Sequence, residues 1–191
     1  MIRMVIDIGK NEGKRFEDNW KSSCDKLDYV LLKRLNDNAS AWSGGSNTRF
    51  ASKNECDFIL FDSLRCKFFG LELKSTIHKS LTFWREDFEE YDEHGKKIKK
   101  HFMIRECQIK GLDNWSKYSN TVCGFIINFS AINNETYFVR IKDFLKYTND
   151  LEKKSISYSD VLKMNPVKIN SEKLRTNYKY DVEKFLGKFS K

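Results

Sequence analysis

Apolar positions along this chain follow two rhythms. In residues 11–35, NEGKRFEDNWKSSCDKLDYVLLKRL, the residues Phe16, Trp20, Cys24, Leu27, Leu31 and Leu35 recur at steps of three or four. That step predicts one amphipathic helix with a single buried stripe, and Asn11 suits its cap. Glu17 stands one step off the stripe, at the border of the wet face. Residues 36–55 are polar and carry SGGS at 43–46, which predicts a loop with a short strand near Ala39–Trp42. The rhythm then changes. Cys56–Phe61 is apolar on both faces apart from Asp57, as in a covered strand. DSLR at 62–65 can turn the chain, and Lys67–Lys74 returns as the second arm of a hairpin.

Residues 82–101 hold an acidic run, REDFEEYDE, and then a basic one, GKKIKKH, which predicts a helix followed by a mobile basic loop. Residues 104–118 suit a helix, 121–131 and 135–141 two strands, and 142–150 a short helix. The alternation predicts an α/β fold around a mixed sheet. Its 191 residues suit one domain. Residues 1–150 form the core, with a charged insertion at about 82–101. Residues 151–191 form a basic extension packed on, or following, the same domain.

Composition narrows the function. A hydrophobic content of 40% excludes a disordered chain. A net charge of +8 favours a polyanionic partner, nucleic acid being the commonest. The tail repeats the bias: residues 151–191 hold ten Lys/Arg against five Asp/Glu. The odd count of five cysteines, with no CxxC, argues against a disulfide framework, and the three histidines fit no zinc spacing. No signal peptide or long apolar run is visible, so a cytoplasmic protein without membrane contact is expected.

The chemistry lies in GLELKST, residues 70–76. Side chains alternate along a strand, so Glu72 and Lys74 share a face, roughly 7 Å apart, while Leu71 and Leu73 enter a core. A hairpin can bring Asp57 beside them. Two carboxylates near apolar walls repel and are costly there. A divalent cation relieves both costs and can activate a phosphodiester. A lysine in that position can orient water or stabilise developing charge. The same triplet also serves as an ordinary solvated strand face in many proteins.

The ordered set GKRFEDNW (13–20), CDFILF (56–61), GLELKST, a glutamine at 108 and GFIINF (124–129) followed by TYFVRI (136–141) resembles the PD-(D/E)xK nuclease superfamily, and within it the RecU-type Holliday junction resolvases and their phage relatives. The resemblance implies a restriction-endonuclease-like mixed β-sheet flanked by helices, with residues 1–150 as the nuclease core. It implies a homodimer cutting branched or four-way DNA in recombination and repair. It makes Asp57, Glu72 and the Leu73 carbonyl ligands of Mg²⁺, with Mn²⁺ as a substitute. Glu17 assists, directly or through water. Lys74 is the catalytic lysine and Gln108 borders the site. Ser75 and Thr76 match hydroxyl positions that contact a phosphate. Cys56 replaces the proline of the superfamily's name. The long basic stalk of RecU enzymes is reduced here to about twenty residues before Asp57. Another structure- or duplex-specific endonuclease of the same fold, or a non-catalytic nucleic-acid-binding module, remains open.

Further DNA contacts are expected from Arg49, ahead of the Asp57 strand, from Lys79 and Arg85 after the active strand, and from Lys96, Lys97, Lys99 and Lys100 in the basic run. Each also reads as a surface cation, the four lysines as balance for the acidic run before them. Trp84 is a candidate stacking group.

Overall fold

A computed structural model describes residues 2–35, 54–90, 92–96, 98 and 100–190, with side chains from residue 12 onward. The chain opens with helix α1 (Ile2–Cys24), then strands β1 (Val30–Arg34), β2 (Phe58–Asp62), β3 (Lys67–Thr76) and β4 (Ser80–Thr82). Helix α2 (Glu106–Trp115), strands β5 (Thr121–Phe129) and β6 (Glu135–Arg140) and helix α3 (Ile141–Asn149) follow. The rest is β7 (Ser155–Ser157), α4 (Tyr158–Lys163), β8 (Val167–Ile169), β9 (Ser171–Lys173), β10 (Tyr178–Tyr180) and α5 (Val182–Gly187).

β3 is apolar on both faces and is covered on both, as a central strand must be. It pairs antiparallel with β2, Phe58 facing Leu71, and parallel with β5, Glu72 facing Phe125 and Lys74 facing Ile127. A parallel pair needs a crossover, and residues 77–120 supply it, with α2 inside. The full order, β1-β2-β3-β5-β6-β8, makes a mixed α/β sheet. On one face α1 and α5 bury Phe16, Trp20 and Phe185 against Phe69, Leu71 and Leu73. On the other, α2, α3 and α4 bury Ile109, Leu112, Phe144 and Val161 against Phe125 and Ile127. Residues 151–190 belong to this body: β8 pairs with β6, and α5 lies in the first layer. No helix among the described residues is long and apolar enough to cross a membrane, and all five cysteines are free thiols.

Two expected elements differ. The stripe at 11–35 is not one helix: α1 starts at Ile2, so Asn11 lies inside it and is not its cap, it ends at Cys24, and Val30–Arg34 is an edge strand. The open edge of β2 takes this segment in register, Leu32 facing Leu60. Tight turns make the break, Leu27 N–H bonding the Cys24 carbonyl at 3.0 Å and Val30 N–H the Leu27 carbonyl at 3.2 Å. Leu31, placed on the stripe by its spacing, is 67% exposed. At 82–101 the helix shrinks to one 3-10 turn, Glu86–Phe88. Trp84 N–H bonds the Ile104 carbonyl at 2.9 Å and Ile98 N–H that of Glu90 at 2.8 Å, so the chain runs out and back. Asp92 Oδ1 holds the tip by accepting from the N–H groups of His94 and Lys96. The strand expected near Ala39–Trp42 lies outside the described residues.

The β2–β3 turn is closed by Asp62, which is fully buried. Its carboxylate accepts from the N–H groups of Leu64 and Arg65 and pairs with Arg65 Nη1 at 2.7 Å. Asp62→Ala strands these donors and should lower stability by about 2–3 kcal/mol. Urea unfolding checks this; a loss under ~0.5 kcal/mol would show that the turn closes without it.

Candidate active site

Alternation along β3 sends Leu71 and Leu73 into the α1/α5 layer and turns Glu72 toward α2. Glu72 is only 1% exposed. An ionised carboxylate without partners there is costly. Its Oε1 has two: Lys74 Nζ at 2.6 Å, and the Gln108 side-chain amide, which donates to it. Its Oε2 is buried and, among the described residues, has no hydrogen-bond partner. Burial is the largest influence on this carboxyl and pushes its pKa up to about 8; the Asp57 charge adds to the rise, while Lys74 and Arg105 oppose it.

Gln108 stands in the first turn of α2, also 1% exposed. Its Oε1 accepts from Arg105 N–H at 2.9 Å, which leaves its amide nitrogen to face Glu72. Asp57 precedes β2. Its Oδ2 accepts from Leu73 N–H at 2.8 Å, and its own N–H bonds the Leu71 carbonyl at 3.1 Å. The hairpin register, which the sequence left open, thus sets Asp57 beside Glu72. The approach depends on Gly111 of α2, where a Cβ would lie 2.3 Å from the Glu55 Cβ.

Glu17 reaches the cluster from α1 and is paired with Arg34 of β1. Burial raises its pKa most, the Asp57 charge adds, and Arg34 opposes. Asp57 therefore acts electrostatically on both Glu17 and Glu72. Lys74 completes the group. Leu73, whose carbonyl is the further expected ligand, lies between Glu72 and Lys74 with its N–H committed to Asp57.

The donor set fits a hard cation. Mg²⁺ takes one or two carboxylates and keeps waters and substrate oxygens for its other positions. Asp57 and the unsatisfied Oε2 of Glu72 offer that chemistry. Among the described residues no three His, Cys, Asp or Glu side chains form a group that could hold a metal ion by themselves.

The remaining expected contacts scatter. Ser75 Oγ donates to Asn128 Oδ1 at 2.9 Å, and Asn128 Nδ2 donates to Asn134 Oδ1 and Thr136 Oγ1, each at 2.9 Å. Thr76 Oγ1 accepts from His78 N–H in the turn after β3. Arg85 turns away, forked onto Asp87 and donating to the carbonyls of Thr148 and Asn149 at the end of α3. Lys79 and Lys96 are exposed. Lys100 pairs with Glu90, as a balance for the acidic run would. Arg49, Lys97 and Lys99 lie outside the described residues. Arg34, Arg105 and Asn128 were not foreseen; only Asn128, a polar residue inside the apolar run GFIINF, left a signal.

No family model matches the chain. The chain is 32% identical over 195 residues to the SPbeta prophage-derived uncharacterized protein YotM of Bacillus subtilis (strain 168), covering 95% of this chain and 88% of that protein. The chain belongs to the YotM family. Coverage of that extent is a kinship of the whole fold and not of one shared motif. In this YotM-family chain the acids and the lysine are therefore set in a scaffold common to both proteins.

Proposed function

We propose that this YotM-family chain is a Mg²⁺-dependent DNA endonuclease with a restriction-endonuclease-like fold of the PD-(D/E)xK type, acting in the cytoplasm on branched DNA as RecU-type resolvases act on four-way junctions. One observation carries the reading: a buried glutamate with an unpartnered oxygen, set beside an aspartate and a lysine, in a protein of net charge +8. Asp57 and Glu72 would hold the metal, with the Leu73 carbonyl and Glu17 assisting. When bound, the ion supplies charge neutralisation and Lewis acidity toward a phosphodiester.

The chain's own groups do the positioning. Leu73 N–H fixes the Asp57 carboxylate, and the Gln108 amide fixes that of Glu72. The Lys74 side chain is 17% exposed, so its ammonium can donate to a phosphate oxygen entering from solvent while it stays against Glu72. Aimed at charge that develops during hydrolysis, such a donor lowers the barrier. A homodimer would present two such centres to the two strands of a junction.

A second reading, a non-catalytic nucleic-acid-binding module, draws on the closed Lys74–Glu72 pair, which also satisfies a purely structural strand face. Cleavage of a mobile four-way junction and of linear duplex in Mg²⁺, with Lys74→Ala as control, separates the readings. Paired junction cuts that vanish in the variant are expected. Equal cleavage of both substrates would keep the nuclease and remove the junction preference. Binding without cleavage in Mg²⁺ or Mn²⁺ would leave the binding module.

A further inference from the structure

The segment between β4 and α2 folds back on itself and leaves a cleft of about 640 Å³ against the first half of α2. Trp84, Phe88 and Phe102 give its wall three aromatic rings, and Lys100, Arg105 and Lys110 give it cations. Trp84 is fixed by its edge: Nε1 donates to Glu89 Oε1 at 2.9 Å, and Lys110 Nζ stands 4.8 Å from the ring centroid. Lys110 is spent on Glu106 at 2.7 Å and Lys100 on Glu90. Arg105 is exposed and, among the described residues, makes no ion pair. Its backbone N–H is held by Gln108, the residue that also donates to Glu72. Gln108 thus links Arg105, which lines the cleft, to the buried carboxylate.

We propose that this cleft seats one unstacked nucleotide of the DNA strand, its base against the Trp84 and Phe102 rings and its phosphate on Arg105. The DNA occupant rests on the nuclease reading above. Every base has a π-face, so aromatic walls hold unpaired bases with little regard to sequence. The volume lies within the range of pockets that bury small ligands. A continuous duplex can fill the cleft only by unpairing a base, which costs a few kcal/mol and least at a branch or a single-stranded tract. The cleft therefore selects for interrupted duplex beside the cutting centre, without a stalk.

The test is binding in EDTA, where cleavage is suspended. Wild type, Trp84→Ala and Trp84→Phe are titrated with dT6, with an abasic deoxyribose-phosphate hexamer of equal charge, and with dTMP. The deciding quantity is the ratio of the dT6 and abasic affinities, from which any general loss of binding cancels. Wild type should favour dT6 about tenfold or more, Trp84→Phe should keep most of that ratio, and Trp84→Ala should bring it close to one. A wild-type ratio near one, or a ratio unchanged in Trp84→Ala, overturns the proposal. So does dTMP binding as tight as dT6, which would make a free nucleotide the ligand. The Mg²⁺ cleavage assay is read separately. Cleavage without a base preference leaves the nuclease and removes the cleft from it; a base preference without cleavage does the reverse.

Discussion

On the proposed nuclease reading, Glu72→Gln is expected to lower Mg²⁺-dependent DNA cleavage by about a thousandfold or more and to leave DNA affinity in EDTA within about twofold of wild type. The substitution keeps size and shape. It takes away only the charge that would hold a cation through Oε2, the oxygen without a protein partner. Gln108→Ala should do less. It frees the Glu72 side chain to swing but leaves its charge, and such supporting contacts are worth about ten- to a hundredfold. Single-turnover cleavage of a branched substrate at saturating enzyme ranks the three proteins. If Glu72→Gln retains more than about a tenth of wild-type rate, Glu72 is not a metal ligand, because one lost charge of that kind costs far more.

The same substitution should stabilise the protein at high pH. With its carboxyl pushed up to about 8, folded Glu72 keeps a proton over a range where the unfolded chain, near its ordinary 4.5, has released it. Unfolding then releases a proton, so stability falls as pH rises between those limits. The contribution is fully present below about 4.5 and lost as pH passes 8. Glu72→Gln lacks this dependence. Urea unfolding in EDTA should find it more stable than wild type by on the order of 5 kcal/mol at pH 9, and nearly equal at pH 4. A difference that does not vary with pH would mean that the carboxyl is ionised throughout, with Lys74 outweighing burial.

Much of the site was legible because its residues break a pattern. Asp57 and Glu72 interrupt apolar runs, and period-two alternation alone puts Glu72 and Lys74 on one face. What alternation cannot supply is register. That is set by the Asp62–Arg65 turn, where backbone N–H groups choose a side chain that the sequence shows only as part of DSLR. The break after Cys24 was hidden for a different reason. Leu27, Leu31 and Leu35 continue a helical spacing, and the competing demand comes from the distant edge of β2. The C-terminal elements escaped notice because β7, β8, β9 and β10 are three residues each, too short for any periodicity. Arg34 and Arg105 matter through where the chain carries them, and their neighbours in sequence give no hint of it.

The parallel step between β3 and β5 has an evolutionary consequence. It obliges the chain to leave the sheet after Thr76 and return at Thr121; within that excursion Leu81, Phe83, Phe88 and Ile104 are buried in the core along with Ile109 and Leu112 of α2, the helix that holds Gln108 in place, while the tip at 92–96 is exposed. The stretch from β4 to α2 is a closed loop anchored at both ends. Lengthening such a loop adds only a slowly growing entropic cost, about 0.6 kcal/mol per doubling. On the proposed nuclease reading, substrate choice would thus drift by insertion and deletion at the exposed tip beyond Phe88, with Asp57, Glu72 and Lys74 left in place. The same reading expects relatives with the same acids and a different segment between Phe88 and Ile104 to prefer different DNA shapes.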